Sequence, residues 1–129
     1  MTDDSRWKKA DARLSSGRAR NVWFGSVRAD GRPHLVPLWF VWHERKLWVC
    51  VGRGTQKHVN VTGNPNVVLA LEDGVSPVIV EGVVREEADE PVRDALAVPF
   101  ISKYDWDFRT DTDEDWLLMS VEPTKLLMW

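Results

Sequence analysis

A single cysteine, Cys50, occurs in the whole sequence. An internal disulfide is therefore excluded, and with it the usual mark of an oxidising compartment. Cys50 lies inside an apolar run and reads as a small packed side chain. No apolar run approaches the roughly 18 residues of a membrane span. The N-terminal stretch is polar and charged, unlike a signal peptide. These absences lead us to expect a cytoplasmic protein with no membrane partner. Surplus positive charge is also missing. Seventeen Lys and Arg stand against 20 Asp and Glu, a net charge of −3, so no nucleic-acid partner is expected. His34, His43 and His58 are not spaced as ligands, and no HExxH or Cys/His cluster occurs, so no metal is expected. The carboxylates of residues 105–115 lack the ordered spacing and central glycine of a calcium loop and read as a solvated acidic lid. With no GxGxxG, Walker loop or nucleophile elbow, no catalytic side chain is nominated.

Tryptophan is plentiful, with eight in 129 residues. So many large rings need burial, which a subunit interface or a flat aromatic ligand would supply. The length suits one domain, residues 1–129, with a single core. Residues 3–16 read as a helix capped by Asp3, Asp4 or Ser5, with Trp7, Ala10 and Leu14 on a narrow face and Gly17 at its end. That face suggests a helix lying across a sheet, outside the core. Residues 21–28 and 33–43 form strands around an Asp30-Gly31 turn, and residues 46–52 form a third strand after the polar turn HERK. Their closeness suggests an antiparallel meander. Both faces of the first two strands are apolar, so one face should meet the core and the other a second subunit. Pro37 belongs at an edge or a bulge, because it lacks an N–H. Residues 55–63 read as a short helix, then 66–72 and 77–86 as strands. Gly82 marks a bend or a close backbone approach. Asp89 caps another helix, which Pro99 should end or kink. Residues 102–115 read as an acidic, aromatic loop, 116–121 as a strand and 125–129 as a last short strand or tail. The reading is mainly β with α+β elements: a small closed or split barrel with helices at its periphery.

The stretch Gly31–Asn60 carries the candidate site. Arg53, Thr55 and Lys57 follow a strand and open a helix, where free backbone N–H groups and the helix dipole favour a phosphate. Lys57 adds a point charge, Arg53 a fork and Asn60 an amide one turn on. The plainer reading is that Thr55 is only an N-cap and both cations are solvated. For Trp39 and Trp42, core or interface packing is the plain reading.

In order, the runs DGRPHLVPLWFVW, KLWVCVGRGTQKHVN, NPNVVLALED, VIVEGVVREE and KYDW, with a final strand ending in Trp129, cover nearly the whole chain from about Asn21. Together they resemble the pyridoxamine-phosphate-oxidase-like family of flavin and deazaflavin proteins, and most closely its short actinobacterial-type members identified as coenzyme F-420-dependent reductases. The resemblance implies a six-stranded antiparallel split β-barrel with two or three short peripheral helices. It also implies a homodimer that holds FMN or deazaflavin coenzyme F-420 in grooves between its subunits. Its (Ser/Thr)-x-Lys-x-x-Asn pattern falls on Thr55, Lys57 and Asn60 as phosphate ligands, with Arg53 and Gln56 assisting. It lays Pro37, Leu38, Trp39 and Phe40 along the ring system, flanked by Cys50 and Val51. It gives Tyr104 and Trp106 to the substrate pocket, which Trp129 helps to close. The chain departs from true pyridoxamine phosphate oxidases. It lacks their C-terminal Arg-x-His pair and their flavin-contacting arginine on the second strand, and it has Pro77 where they offer a glutamine. Vitamin B6 oxidation is therefore not expected. The implied activity is an oxidoreductase that moves hydride between a bound deazaflavin or FMN and a conjugated small molecule, the cofactor carrying the chemistry. The alternative is a non-catalytic flavin- or haem-binding dimer that acts as carrier or sensor.

Overall fold

The computed structural model describes residues 2–129, with side chains from residue 5 onward. Helix α1 (Thr2–Leu14) leads into β1 (Val22–Val27), β2 (Pro33–Leu38), β3 (Val41–His43) and β4 (Lys46–Gly52). Helix α2 (Gln56–Gly63) follows, then β5 (Asn66–Leu71), β6 (Val78–Glu86), α3 (Glu90–Tyr104) and β7 (Trp116–Met128). The side chains of the expected caps Asp3 and Asp4 lie outside the described residues.

The seven strands form one antiparallel sheet in the order β2-β1-β5-β6-β7-β4-β3. The expected meander and the count of six strands are both corrected. The stretch expected as one strand, residues 33–43, is cut at Trp39-Phe40 into β2 and β3, which occupy opposite edges of the sheet. Two residues can span only about 10 Å between flanking Cα atoms. The sheet must therefore curl until its edges nearly meet, which makes it a half-barrel with a seam. Pro37 lies on edge strand β2, the kind of position where a residue without an N–H is tolerated.

Residues 116–121 and 125–129 were expected as separate strands, but Trp116–Met128 is continuous. Pro123 is tolerated because β4 stops pairing at Val121, leaving β6 as the one neighbour there. The register also shifts at Glu81/Gly82, opposite Pro123. A Cβ on Gly82 would lie 2.6 Å from the Glu122 carbonyl oxygen, so glycine is required for that approach.

Inward-facing Val22, Phe24, Phe40, Leu47, Val49, Val51 and Leu69 form the main core. Each such side chain contributes on the order of 2 kcal/mol by burial. Helix α1 does not merely lie across the sheet. Ala10 and Leu14 enter this core, Trp7 stacks on Trp42 at 6.3 Å, and the Trp42 indole donates to Asp11 at 2.6 Å. A second core lies between α3 and the outer face of β4, joining Leu96, Ala97 and Phe100 to Trp48, Cys50 and Leu118. Strand β4 is thus covered on both faces, which explains its unbroken apolar run. Pro99 neither ends nor breaks α3. One backbone bond is lost there, and the burial of Phe100 and Tyr104 beyond it holds the last turn in place.

Candidate functional site

A cleft of about 450 Å³ opens beside the seam, large enough for a small ligand. Pro37, Leu38 and Trp39 form one wall and Cys50 of β4 the floor. Trp106 and Asp111, from the loop after α3, and Trp116 at the start of β7 form the other wall. Trp39 stacks on Tyr104 (4.6 Å between ring centres, 6° between planes) and meets Trp106 edge-on at 5.7 Å. Trp106 meets Trp116 edge-on at 5.2 Å. Such edge-to-face contacts fix ring orientation by matching positive edges to negative faces. Trp39 remains 44% exposed although it lines the cleft, so part of its ring is open to a ligand.

The seam backbone is held by side chains of α3. The Tyr104 hydroxyl accepts from the Phe40 N–H at 3.0 Å and has the carbonyls of Phe40 (2.9 Å) and Arg20 (2.8 Å) within donating reach. The Lys103 ammonium donates to the Phe40 carbonyl at 3.0 Å and sits 3.8 Å above the Phe40 ring. Burial, with a smaller contribution from Arg20, brings Lys103 down to about 8. Burial likewise pushes the Cys50 thiol far above its usual range, so this sulfur is a protonated, packed group.

At the exit of β4, three residues past Cys50 and so within about 10 Å of chain, the basic segment begins. The Arg53 Nε donates to Asp115 at 2.7 Å, so its fork is partly engaged. Thr55 stands at the N-cap of α2, yet its hydroxyl donates to the Gly52 carbonyl and makes no capping bond. The first N–H groups of α2 are left without that partner. Gln56 donates to Asn60 at 2.6 Å, and buried Asn60 donates to Ser26 at 3.0 Å, so this amide ties α2 to β1. Lys57 is half-buried and, among the described residues, forms no ion pair. It lies near enough to His34 to lower the histidine's proton affinity, as Arg28 does, although burial is the larger cause. The His34 Nδ1 is buried without a hydrogen-bond partner.

Of the site residues read from the sequence, Pro37, Leu38, Trp39, Cys50 and Trp106 meet in the cleft. Phe40 and Val51 point into the main core. Tyr104 is buried behind Trp39 and does not line the cleft. Trp129 lies at the far end of β7, 77% exposed and away from the cleft. Sequence reasoning missed Asp111, Trp116 and Lys103. A signal for the first two was present, since Asp111 sits midway between Trp106 and Trp116, five residues from each.

The family described as pyridoxamine 5'-phosphate oxidase matches residues 8–129, nearly the whole chain. The chain belongs to this family. Solved structures agree on the fold. An F420 reductase is 24% identical with a TM-score of 0.72, the match covering 90% of this chain and 94% of that one. The conserved hypothetical protein Rv2991 from Mycobacterium tuberculosis is 23% identical, TM-score 0.77, covering 95% and 82%. HutZ, the heme storage protein from Vibrio cholerae, is 15% identical, TM-score 0.70, covering 93% of each chain. Comparison with curated proteins finds no match. This pyridoxamine 5'-phosphate oxidase family member thus shares its half-barrel with proteins named both for reduction and for haem.

Proposed function

We propose that the chain is a flavin- or deazaflavin-dependent oxidoreductase that works as a homodimer. The observation that carries this reading is that β4, which floors the indole-walled cleft at Cys50, leads within a few residues into the uncapped start of α2 and unpaired Lys57. Free N–H groups and an ammonium suit a phosphate. The apolar strip Pro37–Trp39 suits a flat ring. FMN and coenzyme F-420 both join a phosphate to such a ring. When bound, either supplies hydride chemistry. The protein's own part is to hold the phosphate with Thr55, Lys57 and the α2 amides, with Arg53 released in part from Asp115. Pro37–Phe40 supply backbone along the ring, held still by Tyr104 and Lys103. The cleft indoles orient the acceptor and exclude water. No side chain is assigned a proton-transfer role. A second copy is supported by the outer sheet face, where Trp23, Leu35 and Val68 are exposed.

Haem binding is the competing reading, and it draws support from HutZ. Haem iron takes an axial His, Cys thiolate, Met or Tyr. Among the described residues the cleft offers only Cys50, held as a thiol. This favours the flavin-type cofactor.

Titration of FMN and F-420 separately, followed by tryptophan fluorescence, tests the proposal. One of the two should bind at micromolar concentration or below, and Lys57→Ala should weaken it about tenfold or more. Unchanged binding in that variant overturns the phosphate assignment. Failure of both cofactors to bind, together with a Soret shift on adding haem, overturns the oxidoreductase reading.

A further inference from the structure

The cleft has a charge character that a flat apolar slot does not require. Asp111 is the one charged residue among the described residues that line it. Its Oδ2 accepts from the Trp106 indole at 2.7 Å, and its Oδ1 accepts from the Asp113 backbone N–H at 2.9 Å. The carboxylate is therefore oriented by two fixed donors and stays ionised. Trp116 contributes a second indole beside the same anion; its buried N–H reaches no partner at hydrogen-bond distance, yet faces Asp111 closely enough to favour the carboxylate slightly. Around this carboxylate stand the rings of Trp39, Trp106 and Trp116, and Trp39 is only half-buried. Indole faces carry the negative end of the ring quadrupole and attract cations most strongly among the aromatics.

The neighbouring charges point the same way. Asp113 and Glu114 on this loop pair with no cation among the described residues. Asp107 is matched by Arg109, and Asp115 by Arg53. Arg93 and Arg20 contact the cleft surroundings but do not line the cleft. Arg93 donates to the Trp116 carbonyl and lies over Phe108, and Arg20 covers the Tyr104 ring. An anionic ligand would meet the Asp111 carboxylate among three indoles, with no cation among the described residues that line the cleft to offset it.

We propose that this cleft selects small organic cations, a quaternary or protonated amine on a flat or conjugated frame, with Asp111 as counter-charge and Trp39, Trp106 and Trp116 as the cage. Calling that ligand the substrate rests on the oxidoreductase reading; the cation preference does not, because it can be measured without cofactor. The probes are phenyltrimethylammonium, its neutral isostere tert-butylbenzene, and benzenesulfonate, each titrated into the full chain and followed by indole fluorescence. The cation should bind about tenfold or more tighter than the neutral isostere, and the anion should bind more weakly than both. Asp111→Asn keeps an oxygen for the Trp106 N–H and removes the charge. It should lower cation affinity about tenfold and leave tert-butylbenzene unchanged, while Asp113→Asn, outside the cleft, should lower cation affinity far less and also leave tert-butylbenzene unchanged. Equal binding of cation and isostere overturns the proposal, as does an Asp111→Asn loss shared by both, or no binding of any probe. The ranking on the unaltered protein tests it even if the variant fails to fold. Cation selection in a chain that binds neither FMN nor F-420 would remove the oxidoreductase reading and leave the cage standing.

Discussion

Lys103 shows how one side chain can hold a backbone in place at an electrostatic cost. Its ammonium anchors the Phe40 carbonyl but is half-buried, and it titrates near 8 against a usual 10.5. Below pH 8 the folded protein bears the full cost of burying that charge. Between about 8 and 10.5 the folded state sheds the proton while the unfolded chain keeps it. The unfolded state then binds more protons, so stability rises with pH across this window. Denaturant unfolding of the parent and of Lys103→Met at pH 7.5 and pH 10 should show the parent gaining relative to the variant. Equal shifts in the two proteins would remove the buried-charge account. Lys103 escapes sequence reading because KYDW shows only that a lysine precedes an aromatic. Its partner carbonyl is 63 residues away. Asp111 was hidden differently, as one of several acids in a loop that looked uniformly solvated. Only the symmetric spacing of Trp106 and Trp116 around it sets it apart.

At the scale of elements, the readable pieces were those bounded by turn chemistry. Strand β4 has the limits expected of an apolar run between HER and the basic segment, Lys46–Gly52. The β1–β2 hairpin turns at Gly31, whose φ of +89° suits glycine. The misread pieces were decided by tertiary neighbours. Helix α3 runs through Pro99 because Phe100 and Tyr104 are buried beyond it. Strand β7 runs through Pro123 because that position has one strand neighbour and a register shift opposite. The bulge itself makes a testable demand. Gly82→Ala would drive a Cβ to 2.6 Å from the Glu122 carbonyl and 2.7 Å from Val121 Cγ1. Backbone cannot yield as a flexible side chain would, so we expect a loss of about 2 kcal/mol or more, read from the denaturation midpoint. By contrast, Gly52→Ala meets chiefly the end of the Glu114 side chain, which can swing away, and should cost well under half as much.

The whole molecule was legible in outline because the motifs occur in family order along almost the full chain. The pairing of strands was not, because β1 with β5 and β4 with β7 are long-range choices that no local pattern encodes. The outer face was foreshadowed by strands apolar on both sides. There Leu35 (61% exposed) and Val68 reach across Gly25, and Trp23 is open nearby. If this face meets a second copy, sedimentation should give twice the chain mass. Leu35→Glu should then shift the protein to monomer by placing a charge in the contact, and cofactor affinity should fall with it. A parent protein that sediments as a monomer at micromolar concentration would remove the dimer from the proposal.

The two-residue link between the edge strands has a consequence for motion. The Phe40 amide is bonded to a tyrosine hydroxyl and to no neighbouring strand. Its hydrogen exchange should therefore report release of Tyr104 and the last turn of α3, well below the free energy of global unfolding. The Val49 and Val51 amides in the doubly covered β4 should exchange only by global opening. A ligand filling the cleft would clamp the seam and slow Phe40 selectively, so this single amide would serve as a timer for how often the half-barrel gapes.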